Sequence, residues 1–182
     1  MRIFIGGSRH VTNLGSEVRR ELDAIMHGGH SVLVGDANGA DKSVQRYLHA
    51  NAYRHVQVFC VKGTCRNNLG GWPVRSVVPP HRRKDFGYYA AKDEEMTDKA
   101  ARGFMLWDGR SLGTLANVFR LLKQAKRSLV YEAPRKQFIN VENEADWQQL
   151  LSRCAPEVRR RFRERICSDA EKLHTPSQLA LF

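Results

Sequence analysis

Three glycine-rich segments hold the residues whose types and spacing could do chemistry: Gly6-Gly7-Ser8-Arg9, Gly35-Asp36-Ala37-Asn38-Gly39-Ala40-Asp41 and Asp108-Gly109-Arg110-Ser111-Leu112-Gly113-Thr114. The first and third follow short apolar runs, and the second and third open a helical pattern. A Gly-rich turn at a helix start leaves backbone N–H groups unpaired at the positive end of the helix dipole, which suits an anion and above all a phosphate. Ser8 adds a hydroxyl and Arg9 a guanidinium fork that matches phosphate oxygens. Asp41, in the first turn of its helix, could accept ribose hydroxyls or only favour the helix start. Ser111 and Thr114 could grip a phosphate or cap their own helix. The set Gly7, Ser8, Arg9, Gly39, Asp41, Asp108, Gly109, Ser111, Gly113 and Thr114 is therefore the candidate lining of a site for a nucleotide or nucleotide derivative. Asp41 and Asp108 are its candidate catalytic carboxylates.

Positioning such loops requires a scaffold, and the apolar periodicity supplies one. Runs at 2–5, 31–34, 56–61, 74–78, 104–107 and 128–131 read as strands, with a candidate edge strand at 138–141. Helical spacing occupies 16–26, 40–52, 84–101, 114–126, 144–154 and 156–173. Strands alternating with helices predict an α/β fold, a Rossmann-like parallel sheet with helices on both faces, plus a small C-terminal helical appendage. The expected division is a nucleotide-binding domain over 1–135, a helical appendage over 136–174 and a flexible tail over 175–182. In an open parallel sheet ligands bind outside the carboxyl ends of the strands, where all three loops fall.

Four motifs occur in order: Gly7-Ser8-Arg9, Gly35-x-x-x-Gly39-Ala40-Asp41, Lys92-Asp93-x-x-Met96 and Asp108-Gly109-x-Ser111-x-Gly113-Thr114. Over residues 1–133 the chain resembles the YspA-like branch of the SLOG superfamily, the Rossmann-like group that includes DprA and the LOG proteins. The resemblance implies a Rossmannoid domain that binds a nucleotide or its derivative at these loops. Gly113-Thr114 matches the Gly-Thr of the LOG phosphate motif, but Asn117 stands where that motif has its catalytic glutamate, and Lys92 stands where an arginine is expected. Lys92 could neutralise a phosphate. The carboxylates left for an oxocarbenium-like transition state are Asp41, Asp93, Glu94, Glu95 and Asp108. Cleavage of a nucleotide N-glycosidic bond is thus an alternative to ligand binding or sensing, without a motif that demands it. No cofactor is required by this reading beyond the nucleotide-type ligand itself.

The net charge of +11 favours anionic partners. The basic residues include a run at Arg159, Arg160, Arg161 and Arg163, which could touch DNA backbone or simply face water. Tyr88 or Tyr89 could stack on a base or pack its helix. His10, His81 and His174 have no evident partner. No apolar run approaches the roughly 20 residues of a membrane-spanning helix, and no secretory signal is read, so a cytoplasmic protein of a bacterium or phage is expected. The four cysteines, Cys60, Cys65, Cys154 and Cys167, form no Cys-x-x-Cys pair. Reduced thiols are expected, and no metal site is read. The terminal Gln178-Leu179-Ala180-Leu181-Phe182 resembles the bacterial sliding-clamp-binding peptide. Leu179, Leu181 and Phe182 would fill apolar pockets and Gln178 would bond at their rim. The alternative is that this tail packs on its own fold or seals a homo-oligomer. A clamp-recruited, DNA-associated adaptor is the third functional reading.

Overall fold

The computed structural model describes residues 1–63, 65–80 and 86–173, with side chains given except at 86 and 166–173. The central element is β1 (Arg2–Gly7), whose interior residues are all buried. It pairs in parallel with β2 (Ser31–Gly35) on one side and with β5 (Arg102–Trp107) on the other. Beyond β2 lie β3 (Val56–Val61) and the edge strand β4 (Val74–Val77). Beyond β5 lie β6 (Ser128–Glu132) and β7 (Gln137–Val141). The order is β4-β3-β2-β1-β5-β6-β7, and only β7 runs antiparallel, at the far edge. The expected Rossmann-like α/β sheet is the observed fold.

Alternating side chains supply two cores, because a parallel sheet is covered on both faces. Ile3, Ile5, Val32, Val34 and Val58 point to one face, against α1 (Ser16–His27) and α2 (Ala40–Ala50). Val18, Leu22 and Ile25 make the buried stripe of α1 at helical spacing. Phe4, Leu33, Phe59, Met105 and Trp107 point to the other face. There they meet α3 (Phe86–Lys99) and α4 (Leu112–Lys123), and α5 (Glu144–Ser152) and α6 (Pro156–Leu173) add Trp147, Leu150 and Phe162 to the same core. Trp107 is fully buried, so it packs under the sheet and offers no face to a base.

The chain builds outward from β1 to β4, then crosses back to β5 on the opposite side of β1. This reversal places the carboxyl ends of β1 and β5 at a topological switch point, the crevice that such sheets use for ligands.

One sequence expectation is corrected. Cys60 and Cys65 are joined in a disulfide, with Cα atoms 5.2 Å apart, rather than standing as reduced thiols. Lys62 and Gly63 take positive φ just after β3 and turn the chain back, which brings the two cysteines within bonding range. A search restricted to Cys-x-x-Cys spacing misses this five-residue closure. Cys154 is a free, buried thiol, and burial pushes its pKa up to about 11. The side chain of Cys167, the residues His81 and His174 and the whole peptide Gln178 to Phe182 lie outside the described residues. No helix among the described residues is long and apolar enough to cross a membrane.

Candidate functional site

The parallel strands bring the three glycine-rich loops to one edge. Ser8, directly after β1, donates its hydroxyl to Asp108 Oδ2 at 2.7 Å, bridging the switch point between the first and third loops. The N–H of Ser8 reaches Leu106 O at 2.9 Å, and Ser8 O accepts from Ala40 N at 3.1 Å, which ties in the second loop. Gly39 has φ of +83°, and a Cβ there would run into the backbone of Arg9. This glycine is therefore demanded by the docking of one loop on another.

Asp108 is heavily engaged. Its Oδ1 accepts from the N–H groups of Arg110 at 3.0 Å and Ser111 at 2.7 Å. Burial works against its ionisation, but Ser8 and these two N–H groups hold the carboxyl below its ordinary pKa. A carboxylate of the chain itself thus occupies two donors that a phosphate would use. Ser111 is the N-cap of α4: its Oγ accepts from Thr114 N at 3.3 Å and from the Thr114 hydroxyl at 3.0 Å. Gly109, at φ +80°, makes the turn before α4, and Gly113 lies in the first turn of that helix.

Beneath the loops is a buried charge network. Lys92, 5% exposed at its side chain, lies 3.9 Å from Asp41 Oδ2 and 2.8 Å from Asp93 Oδ1. Asn117 Nδ2 donates to Asp93 Oδ2 at 3.1 Å, and Arg120 in turn donates to Asn117 Oδ1 at 3.1 Å. Desolvation raises the Asp41 pKa to about 6, although Lys92 opposes the shift. Desolvation disfavours the charged Lys92, but Asp93 and Asp41 outweigh it and hold the ammonium protonated. A Cβ at Gly35 would collide with both Asp41 and Lys92, so the end of β2 roofs this network. Lys92 and Asp41 therefore face each other, and the asparagine at 117 is bonded to an acid from α3. Glu94 pairs with Arg120 at 3.1 Å and Glu95 with Arg75 at 2.6 Å, both as surface contacts between elements.

Several residues at this edge carry no motif signature. Asp36 receives the Arg66 guanidinium in two bonds, at 2.9 and 3.1 Å, plus the Arg66 N–H at 3.1 Å. Burial opposes its ionisation, and the hydrogen bonds from Arg66 overcome this and lower its pKa. Gln45, fully buried, ties Gly35 O to Asn67 O and Leu69 N and so fixes the loop that carries Arg66. The Arg66 guanidinium lies 5.5 Å from the ring centroid of Tyr89, which is 41% exposed, while Tyr88 is buried. On the other side, Glu132 at the end of β6 is buried and binds both Arg135 and Arg153. Arg153 Nη2 also donates to Gln137 Oε1 at 2.6 Å. A groove of about 280 Å³ lies here, lined by Asp108, Gly109, Arg110, Glu132, Arg135 and Arg153 among others. The clue available in the sequence was an acid ending an apolar strand, at Gly35-Asp36 and at Val130-Tyr131-Glu132. Arg9 and Arg110 are exposed and have no ion-pair partner among the described residues. Arg159, Arg160, Arg161 and Arg163 lie on α6, away from the three loops in sequence. Among the described residues no group of three His, Cys, Asp or Glu could hold a metal ion.

No family model matches the chain. No curated protein matches it either. Among solved structures the fold is similar to DNA processing protein A from Helicobacter pylori, a protein with a described single-stranded DNA binding mode. The two superpose with a TM-score of 0.56 at 12% identity, over 92% of this chain and 81% of that one. At this identity the likeness concerns the fold.

Proposed function

We propose that the chain binds single-stranded nucleic acid along the carboxyl edge of its sheet. The observation that carries this reading is the arginine rim on that edge. Arg9, Arg66, Arg110, Arg135 and Arg153 come from the loops after β1, β3, β5 and β6 and from the turn between α5 and α6, and Tyr89 presents an exposed ring beside Arg66. Guanidinium groups for phosphates and an aromatic face for a base are the two parts that single-strand recognition needs. Carboxylates fix three of the arginines: Asp36 holds Arg66, and Glu132 holds Arg135 and Arg153. Guanidiniums held in place lose less freedom when a phosphate arrives. The fold likeness to a DNA processing protein with a described single-stranded DNA binding mode supports the same direction.

Fluorescence anisotropy with labelled oligothymidine over a salt series tests the proposal. Wild-type binding should weaken as salt rises. Arg110→Gln with Arg135→Gln should lower affinity and reduce the log–log salt slope by about 1.4, since each single-strand phosphate contact contributes about 0.7. Absence of wild-type binding at low salt, or an unchanged double variant, would remove this reading.

A second reading keeps a nucleotide or nucleotide derivative at the same loops, with cleavage of its N-glycosidic bond as the associated chemistry. It is favoured by the switch point, where Ser8 bonds Asp108 at 2.7 Å and accepts from the N–H of Ala40, next to Asp41, at 3.1 Å, and where the two carboxyls have pKa values pushed in opposite directions. Thermal shift with nucleoside monophosphates, NAD and ADP-ribose tests binding. Release of free base that disappears in Asp41→Asn tests the chemistry. An intact substrate and no shift would exclude both. We further propose that residues 178–182 recruit the protein to a sliding clamp in the cytoplasm; co-elution with the clamp that survives deletion of those residues would refute it.

A further inference from the structure

The first turns of α6 carry a second basic surface that the strand-end rim does not include. Val158 and Phe162 point into the core, where Phe162 meets Trp147 at 5.5 Å and Phe119 at 6.1 Å between ring centroids. That anchoring fixes which residues face out. Arg160 pairs with Glu164 at 2.9 Å, whereas Arg159, Arg161 and Arg163 have no ion-pair partner among the described residues. Pro156, Arg159, Arg160, Arg163 and Glu164 line a shallow concavity of about 420 Å³. Arg159 and Arg163 stand four residues apart on one helix, where like charges repel. The apolar anchor on the opposite side holds them together, and a polyanion would relieve the repulsion.

This surface is continuous with the rim through the chain. Arg153 and Ala155 line the groove that also contains Asp108 and Arg110, and Pro156, the next residue, opens α6 and borders the second concavity. From Pro156 to Arg163 the helix advances about 10 Å at 1.5 Å per residue. We infer that a single strand seated on the strand-end rim continues along α6, its phosphates meeting Arg159 and Arg163. The inference rests on the single-strand reading above and extends it by defining the exit path and a longer site.

Oligothymidines of about 6 and about 20 nucleotides, bracketing common single-strand site sizes of about 4–16, separate the two surfaces. In Arg159→Gln with Arg163→Gln the longer probe should lose affinity by roughly tenfold at low salt, and its salt slope should fall by about 1.4. The shorter probe should bind as before, and Arg159→Lys with Arg163→Lys should keep the wild-type slope. An unchanged far-UV circular dichroism spectrum and denaturation midpoint confirm that α6 remains folded and docked in each variant. An unchanged slope for the longer probe, with wild-type binding intact, overturns the α6 path alone. Equal losses for both probes overturn it as a separate extension. If the wild-type protein binds neither probe, the rim reading fails and this path fails with it.

Discussion

Two acid–base centres flank the switch point, and they are built oppositely. On the β2 side Asp41 and Lys92 are both buried, with side chains 8% and 5% exposed. On the β6 side Glu132 is equally buried, but its partners Arg153 and Arg135 are 25% and 51% exposed. In the first centre the charges are spent on each other, under a roof made by Gly35. In the second, the acid is hidden and the guanidiniums reach water with donors left over. The same edge of one sheet therefore holds an internal brace and a prepared cationic surface. Proximity to the carboxyl edge of the sheet does not separate them; the exposure of the cation does.

The largest expected effect breaks the internal brace. Lys92→Met leaves Asp41 and Asp93 without their buried cation, and urea denaturation should show a loss of about 3–5 kcal/mol. Arg153→Met leaves Glu132 with Arg135 and should cost less, about 1–3 kcal/mol, while weakening oligonucleotide binding. If the two substitutions destabilise equally, the contrast between brace and surface is wrong.

The contrast also explains what could be read from the sequence. The strands and helices were legible because the strands read as short apolar runs such as Ile3-Phe4-Ile5 and because Val18, Leu22 and Ile25 follow the 3.6 period, and the meeting of the three loops follows from parallel topology alone. The partners within the edge were not legible. Lys92 suggested a phosphate ligand by its motif position, yet its burial between Asp41 and Asp93 depends on how α3 sits on the sheet, across from α2, so that Lys92 reaches the end of β2, which periodicity does not set. Asp36 lay inside a recognised loop, but its partner Arg66 is 30 residues away. Glu132, Arg135 and Arg153 come together only because β7 turns back antiparallel and α5 then returns its C-terminus to the end of β6. The disulfide likewise depends on a local turn after β3.

A pH series gives the next effect in size. The folded-state pKa of Asp41, about 6, is raised from the model-compound value of 3.8, so the native state binds this proton more tightly than the unfolded chain. The associated stability is present at acidic pH and is lost as pH rises from about 4 through 6. The slope for one proton is at most about 1.4 kcal/mol per pH unit. Asp36 and Asp108 have lowered pKa values, so their contributions are lost only as pH falls below that window. Stability of Asp41→Asn, measured against wild type by denaturant titration between pH 4 and 7, should lack this decline. A parallel decline in both proteins would show that Asp41 is not the buried acid of the brace.

The smallest effect tests whether the α4 start belongs to the brace or to the surface. Ser111 accepts from Thr114 N and from the Thr114 hydroxyl, so it already acts as a structural cap. Ser111→Ala should cost about 1 kcal/mol of stability without any ligand present. The neighbouring N–H groups of Leu112 and Gly113 are the ones that remain for an anion, since Asp108 takes those of Arg110 and Ser111. Capping and anion binding at this turn then rest on different groups, and Ser111→Ala should lower stability while leaving oligonucleotide affinity, corrected for folded fraction, within about twofold, because the arginine contacts that dominate the electrostatic term are untouched. A loss of binding with unchanged stability would move Ser111 from the brace to the surface and give the α4 start the phosphate-gripping role that its sequence first suggested.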